Sequence, residues 1–246
     1  MDSSTLIWIA LLMALAAALY STVGHGGASA YLAIMALFAI APEAMRPTAL
    51  ALNLVVAGFG SVRYWRAGQI NLRLTAAFLV TAAPAAFIGG GVHVPPELYR
   101  PLVGMVLWAA AARLFWQPAR LAEREPKPPS LAVTLPAGAG LGLLAGLTGT
   151  GGGIFLSPLI ILFGWEDARR TSGVVAGFIL VNSVAGLAGN WVSVRSLPGE
   201  LPILVAAVAA GALAGTWLGA RRLPKPRLLQ GLGLVLVIAG AKLIFP

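Results

Sequence analysis

The residues with chemical potential in this chain are few, and they gather in two places. Two glycine-rich stretches, Val23-Gly24-His25-Gly26-Gly27-Ala28-Ser29 and Thr148-Gly149-Thr150-Gly151-Gly152-Gly153, each stand directly before a short apolar run. Glycine tolerates backbone angles that other residues resist, so the chain can break at these points and a helix can start immediately afterwards. A helix start presents free N–H groups and the positive end of its dipole, which attracts an anion without a buried Lys or Arg. The chemistry expected of Gly24, His25, Gly26, Gly27, Ala28, Ser29, Gly149, Thr150, Gly151, Gly152 and Gly153 is therefore reversible binding of a small anion. His25, the ionisable member of the set, would hold an oxyanion when protonated or relay a proton; the alternative is a neutral imidazole donating to a helix carbonyl.

Other polar side chains interrupt the apolar runs. Asn53, Asn182 and Ser183 fall in long segments, where each must find a partner on a neighbouring helix or on a substrate. Thr22, Ser29, Thr148 and Thr150 flank the glycines and are expected chiefly to cap the broken helices. Glu43 with Arg46, and Asp167 with Arg169 and Arg170, read as solvated loops before helix starts; gating salt bridges are the alternative. Trp65, Trp116, Trp165 and Trp191 close apolar segments, as interfacial anchors do.

Catalytic and cofactor patterns fail. There is no HExxH, no second histidine at metal spacing, no buried acid pair and no cysteine, so no catalytic residue, metal ligand or cofactor is assigned. Lys does not follow the glycines as a phosphate-binding loop requires, and no soluble strand precedes them as a dinucleotide site requires.

These residues are embedded in a chain of 246 residues that is 59% hydrophobic and 10% charged. Its mean hydropathy is +0.87. So much apolar sequence cannot be hidden in one soluble core, and the bilayer must act as solvent. Apolar runs recur at about 5–22, 28–41, 47–62, 74–91, 101–116, 131–147, 153–164, 173–190, 201–220 and 228–245, five per half. The first lacks a basic leader region and is read as a retained helix. The formal net charge of +9 sits mostly in short connections, which points to topology and away from nucleic acid. The runs 28–41 and 153–164 would make helices of only about 21 Å and 18 Å, against a hydrocarbon core of about 30 Å. A helix must then begin inside the membrane, where irregular backbone is tolerated only if buried in protein or lining a wet cavity. The competing explanation of the glycines is close helix packing, which suits Gly138, Gly140, Gly142 and Gly146, and Gly211, Gly215 and Gly219.

The two motifs also mark a duplication. After each, an apolar run ends in Leu37-Phe38 or Leu162-Phe163, and Glu43 to Thr48 then falls on Asp167 to Ser172. The expected division is a first transmembrane repeat at 1–116, a cytoplasmic linker at 117–130 and a second repeat at 131–246. In the first copy the connection after the third segment is basic (Arg63, Arg66, Arg73), and the next holds His93, Glu97 and Arg100. In the second copy the order reverses: Arg195 and Glu200 come first, then Arg221, Arg222, Lys225 and Arg227. Equivalent loops on opposite sides are the charge signature of an inverted repeat, with both termini outside the cytoplasm. The expected fold class is an all-α polytopic membrane protein: two inverted repeats of about five segments each, broken or re-entrant at the glycines.

The motifs GHGGA and GTGGG, Ser157-Pro158-Leu159 after the second, and Tyr64 to Asn71 after the third segment resemble the sulfite exporter TauE/SafE family of bacterial anion permeases. The first copy departs from the pattern with Ala28 for the last glycine and Ala33 for the proline. The resemblance implies a secondary transporter, exporting sulfite, an organosulfonate or a related anion from the inner membrane. Alternating access of the two halves would use a proton or sodium as coupling ion. The partners implied are the small anionic substrate and the lipid bilayer, and the glycine faces would suit a homodimer. A passive anion channel, a non-transporting membrane subunit and an intramembrane enzyme are the alternatives.

Overall fold

The computed structural model describes residues 2–22, 25–115, 126–192, 197–219 and 226–245. Those residues form ten α-helices and no strand: α1 (Ser3–Thr22), α2 (Ala28–Leu37), α3 (Pro42–Arg66), α4 (Leu72–Gly91), α5 (Pro96–Phe115), α6 (Leu131–Thr148), α7 (Gly153–Leu162), α8 (Ala168–Gly189), α9 (Leu201–Gly219) and α10 (Pro226–Ile244). Helices keep every backbone hydrogen bond within one segment, which the bilayer demands. Six of them, α1, α3, α4, α5, α6 and α8, are long and apolar enough among the described residues to cross a membrane. Large apolar side chains such as Trp8, Val80 and Ile88 are about three-fifths exposed on the outer faces, where they meet lipid. The protein is an all-α, multi-pass membrane protein.

Small residues decide which helices pair. A Cβ added to Gly138, Gly142 or Gly146 of α6 would overlap the carbonyl oxygens of Phe78, Ala82 and Ala86 on α4. Gly211 and Gly215 of α9 meet those of Ala14 and Ala18 on α1 in the same way. Both series advance in step, so both pairs are parallel. If α1 to α5 are matched in order to α6 to α10, each pair is the other with the copies exchanged. Gly140 departs from the expected packing face: nothing lies within 4 Å of a Cβ there. On a helix, residues two apart point to different sides.

Helices α4 and α8 also run parallel, with Thr75 by Gly177 and Gly90 by Gly186, whereas two further pairs run antiparallel. Gly60 of α3 lies by Ala176 of α8, while Leu50 lies by Gly186. Gly104 of α5 meets Gly240 of α10, and Phe115 meets Gly233.

The short helices α2 and α7 have 10 residues each, about 15 Å. Both are shorter than the sequence predicts, because Phe38 and Phe163 already end them as C-caps. The end of α2 lies beside the start of α3, and Lys242 Nζ donates to Leu37 O (2.9 Å) there. The end of α7 lies at the opposite end of α3, where Asn71 Nδ2 donates to Glu166 Oε2 (2.5 Å). The 25 residues of α3 span about 37 Å, so α2 and α7 run to opposite ends of the bundle. Helix α2 is wrapped by α1, α3, α5, α9 and α10, and most of α7 by α3, α4, α6 and α8, while Ile154 at the start of α7 joins the cluster around α2.

Two expectations about membrane ends need correction. Glu43 to Thr48 belongs to α3 and is not a loop, and Arg46 is only 8% exposed. Its guanidinium reaches the ends of α4 and α8, which the sequence does not place beside it. Asp167 caps α8 through Arg169 N and Arg170 N (2.9 Å each). Trp65 and Trp191 are exposed at helix ends as anchors should be. Trp165 instead packs against Phe163 and Phe78 (ring centroids 5.1 and 5.9 Å), because the tight turn after α7 folds it inward. Trp116 and most of the expected linker at 117–130 lie outside the described residues.

Candidate functional site

The site is built around Asn53, buried near the middle of α3. The two glycine motifs converge on it. A Cβ on Gly26 would stand 2.5 Å from Asn53 Oδ1, and one on Gly151 would stand 2.8 Å from Asn53 Nδ2. Asn53 Nδ2 also donates a long hydrogen bond to Thr150 O (3.4 Å). Ile179 of α8 touches both motifs at about 3 Å from the same two Cβ positions, and Ser183 Oγ is 3.2 Å from that of Gly151. Residues as bulky as alanine would push these groups apart.

The helix starts are set by left-handed glycines. Gly27 has φ 90° and Gly152 has φ 75°, a region in which side-chain-bearing residues are strained. No side chain caps either helix. The expected hydroxyl caps are used elsewhere: Ser29 Oγ pairs with Tyr20 Oη (2.8 Å), and Thr148 Oγ1 pairs with Thr150 Oγ1 (2.9 Å) and donates to Leu144 O (2.7 Å). The side chain of Thr22 lies outside the described residues. The amides at both helix starts thus have no side-chain acceptor, and both dipoles aim their positive ends at the Asn53 region.

His25, Gly26, Gly27, Ala28 and Ser29 line a small cavity together with Thr150. Its volume is about 10 Å³, room for about one water. His25 is partly buried, edge-on to Tyr20 (centroids 6.4 Å). Not every expected residue joins this cluster. Gly24 lies outside the described residues. Gly149 packs on the backbone of Arg46 (3.0 Å from its carbonyl oxygen to a Cβ), and Gly152 on Phe178 and Ala145. Gly153 abuts Ile179 and Val175. These three shape the break without lining the cavity.

Several polar atoms here have no hydrogen-bond partner: Asn53 Oδ1, Ser183 Oγ beside Gly151 and Tyr31 Oη beside Gly27; the same is true elsewhere of both amide atoms of Asn182 and of Ser21 Oγ, all buried. Each such atom costs about 1–3 kcal/mol when unsatisfied, so so many together require an explanation. Hydroxyls, an amide N–H and backbone N–H groups are donors of the kind that can satisfy an oxyanion without a fixed counter-charge. Among the described residues no three His, Cys, Asp or Glu side chains meet as a metal site would need. Sequence reasoning missed Tyr20, Tyr31 and Ile179. Tyrosines in an apolar run read as core; the available signal was that each buried hydroxyl needs a partner.

Comparison with known proteins agrees with this architecture. The family model described as "Sulfite exporter TauE/SafE" matches residues 9–243. The chain is 38% identical over 242 residues to "Probable membrane transporter protein y4hK" of Sinorhizobium fredii, covering 97% of this chain and 98% of that protein. It is 27% identical over 192 residues to "Probable membrane transporter protein YjnA" of Bacillus subtilis, covering 69% and 73%. No solved structure matches. With ten helices paired by small residues, two glycine-broken half-helices and a match over nearly its whole length, the chain belongs to the sulfite exporter TauE/SafE family of membrane transporters.

Proposed function

We propose that this protein is a secondary transporter that carries a small anion such as sulfite or an organosulfonate, outward across the inner membrane, by alternating access around the two glycine breaks. The observation that carries the reading is the meeting of two uncapped half-helix starts at Asn53, among buried polar atoms without partners. Two dipoles and several neutral donors would hold the anion without binding it too tightly to release.

The two repeats, 1–116 and 131–246, would be inverted about an axis in the membrane plane. Divergence of α2 and α7 to opposite ends of α3 supports this, as does the exchange of partners between α4–α6 and α9–α1. Loop charges then put both termini outside the cytoplasm. A cavity with room for about one water favours a carrier over a standing pore: a four-atom oxyanion needs the helices to move. His25 at the cavity wall makes a proton the first candidate for coupling.

Uptake of labelled sulfite and of an organosulfonate into proteoliposomes, under proton and sodium gradients, tests the reading. Saturable uptake is expected, with loss in Gly151→Leu and in Asn53→Ala. Folded wild-type protein that moves neither anion under either gradient would overturn it.

A further inference from the structure

A second polar cluster lies at the end of the bundle where α3 begins. Arg46 is buried, and its guanidinium donates to Gly90 O (2.9 Å), Val92 O (3.1 Å) and Asn190 Oδ1 (2.9 Å). These acceptors stand at the C-terminal ends of α4 and α8, where helix dipoles end negative. All three are neutral, and among the described residues no carboxylate forms an ion pair with Arg46. A buried cation held by dipoles alone still attracts an anion strongly.

Arg46 and Tyr99 line a cavity of about 50 Å³ with Glu43, His93, Val94 and Pro96. His93 and Glu43 are exposed, so the cavity opens toward one face of the membrane. On its inner side the same two residues rest on the second glycine motif. Tyr99 Oη donates to Thr148 O (3.1 Å), and a Cβ at Gly149 would lie 3.2 Å from Arg46 Cγ. The repeat supplies a contrast: Arg170, aligned with Arg46, is exposed and pairs with Asp167 of its own helix start (3.8 Å).

We propose that this cavity is a second anion site, a vestibule between the central site and the His93 face, in which Arg46 is the binding cation. Its place on the route rests on the transport reading, whereas binding at Arg46 stands as a separate event. Oxygens of a sulfite or sulfonate group replace Gly90 O and Val92 O around the guanidinium, whose planar fork matches two oxygens at once. Because Arg46 ties α4 to α8 through Asn190, arrival of the anion also loosens a contact between the two halves of the chain.

The test follows modification of Arg46 by phenylglyoxal in wild-type protein in nanodiscs, read by peptide mass spectrometry, with rising sulfite, ethanesulfonate or chloride. Sulfite or ethanesulfonate is expected to protect Arg46 saturably and more strongly than chloride, leaving exposed Arg66 unaffected. Lack of protection by every anion, or failure of the reagent to reach Arg46, overturns the proposal. In Asn53→Ala the protection should persist although transport is lost; joint loss would place the binding at the central site and overturn the vestibule. Persistent protection in a wild-type protein that transports nothing would sink the transport reading alone. Arg46→Lys is expected to raise the half-saturating sulfite concentration for flux about tenfold. Equal thermal destabilisation by Arg46→Lys and Arg46→Gln, with half-saturation unchanged, would reduce Arg46 to a helix cap.

Discussion

Asn182 shows how function and stability separate at single residues. It is fully buried and neither amide atom has a partner. Asn182→Ala removes two unsatisfied atoms, a gain of about 1–3 kcal/mol, and leaves a small cavity of comparable cost, so stability should stay within about 1 kcal/mol of wild type. Anion flux should nevertheless fall by about tenfold or more, as loss of one ligand hydrogen bond allows. Thermal unfolding and proteoliposome uptake check both halves; a large loss of stability would show that Asn182 is a packing residue. His25 carries a different expectation. If it relays the coupling proton, His25→Gln will keep downhill sulfite exchange yet lose accumulation driven by a proton gradient, and unimpaired accumulation would exclude that role. Residue type alone pointed to His25, Asn53 and Asn182, because polar groups in apolar runs are conspicuous. It did not reveal that Arg46 is buried. That depends on where α4 and α8 end in space, and Asn190 is 144 residues away along the chain.

At the scale of elements, glycine has two separable uses. Gly142 lets α6 lie against Ala82 of α4, so Gly142→Val should force the pair apart and cost about 1–3 kcal/mol or more. Gly140, two residues earlier, faces open space, and Gly140→Ala should stabilise by up to about 1 kcal/mol through helix propensity. Denaturation of the detergent-solubilised protein by heat or SDS would rank the two, and a similar response from both would argue against the α4–α6 contact. The glycines at 27 and 152 do something else: they turn the chain so that a helix can start in mid-bundle. Shortness of the following runs made those starts legible in the sequence. Spacing could not tell which glycines of a stripe face a neighbour, and so it wrongly grouped Gly140 with the packing face.

For the whole molecule, the orientation in the membrane is the open consequence of the loop charges. A cysteine at exposed Ala67, on the basic connection after α3, should be shielded from an impermeant external thiol reagent, while one at exposed His93, after α4, should label. The reverse pattern would invert the proposed topology. Because α4 has these two connections at its opposite ends, the pair of sites reads the direction of one helix directly. Composition and periodicity by themselves determined that the chain is helical, lies in a membrane and is interrupted twice, and they set the expectation of two similar halves. Those are local or bulk properties: the bilayer forces helices wherever apolar runs are long, and glycine breaks them wherever it clusters. Only the tertiary structure decided that the two breaks meet at Asn53, that the flanking hydroxyls pair with neighbours and leave the helix starts uncapped, and that Arg46 points inward. Those outcomes follow from how deeply small residues let particular helices interlock, and contacts such as Asn53 with Thr150 join residues 97 positions apart.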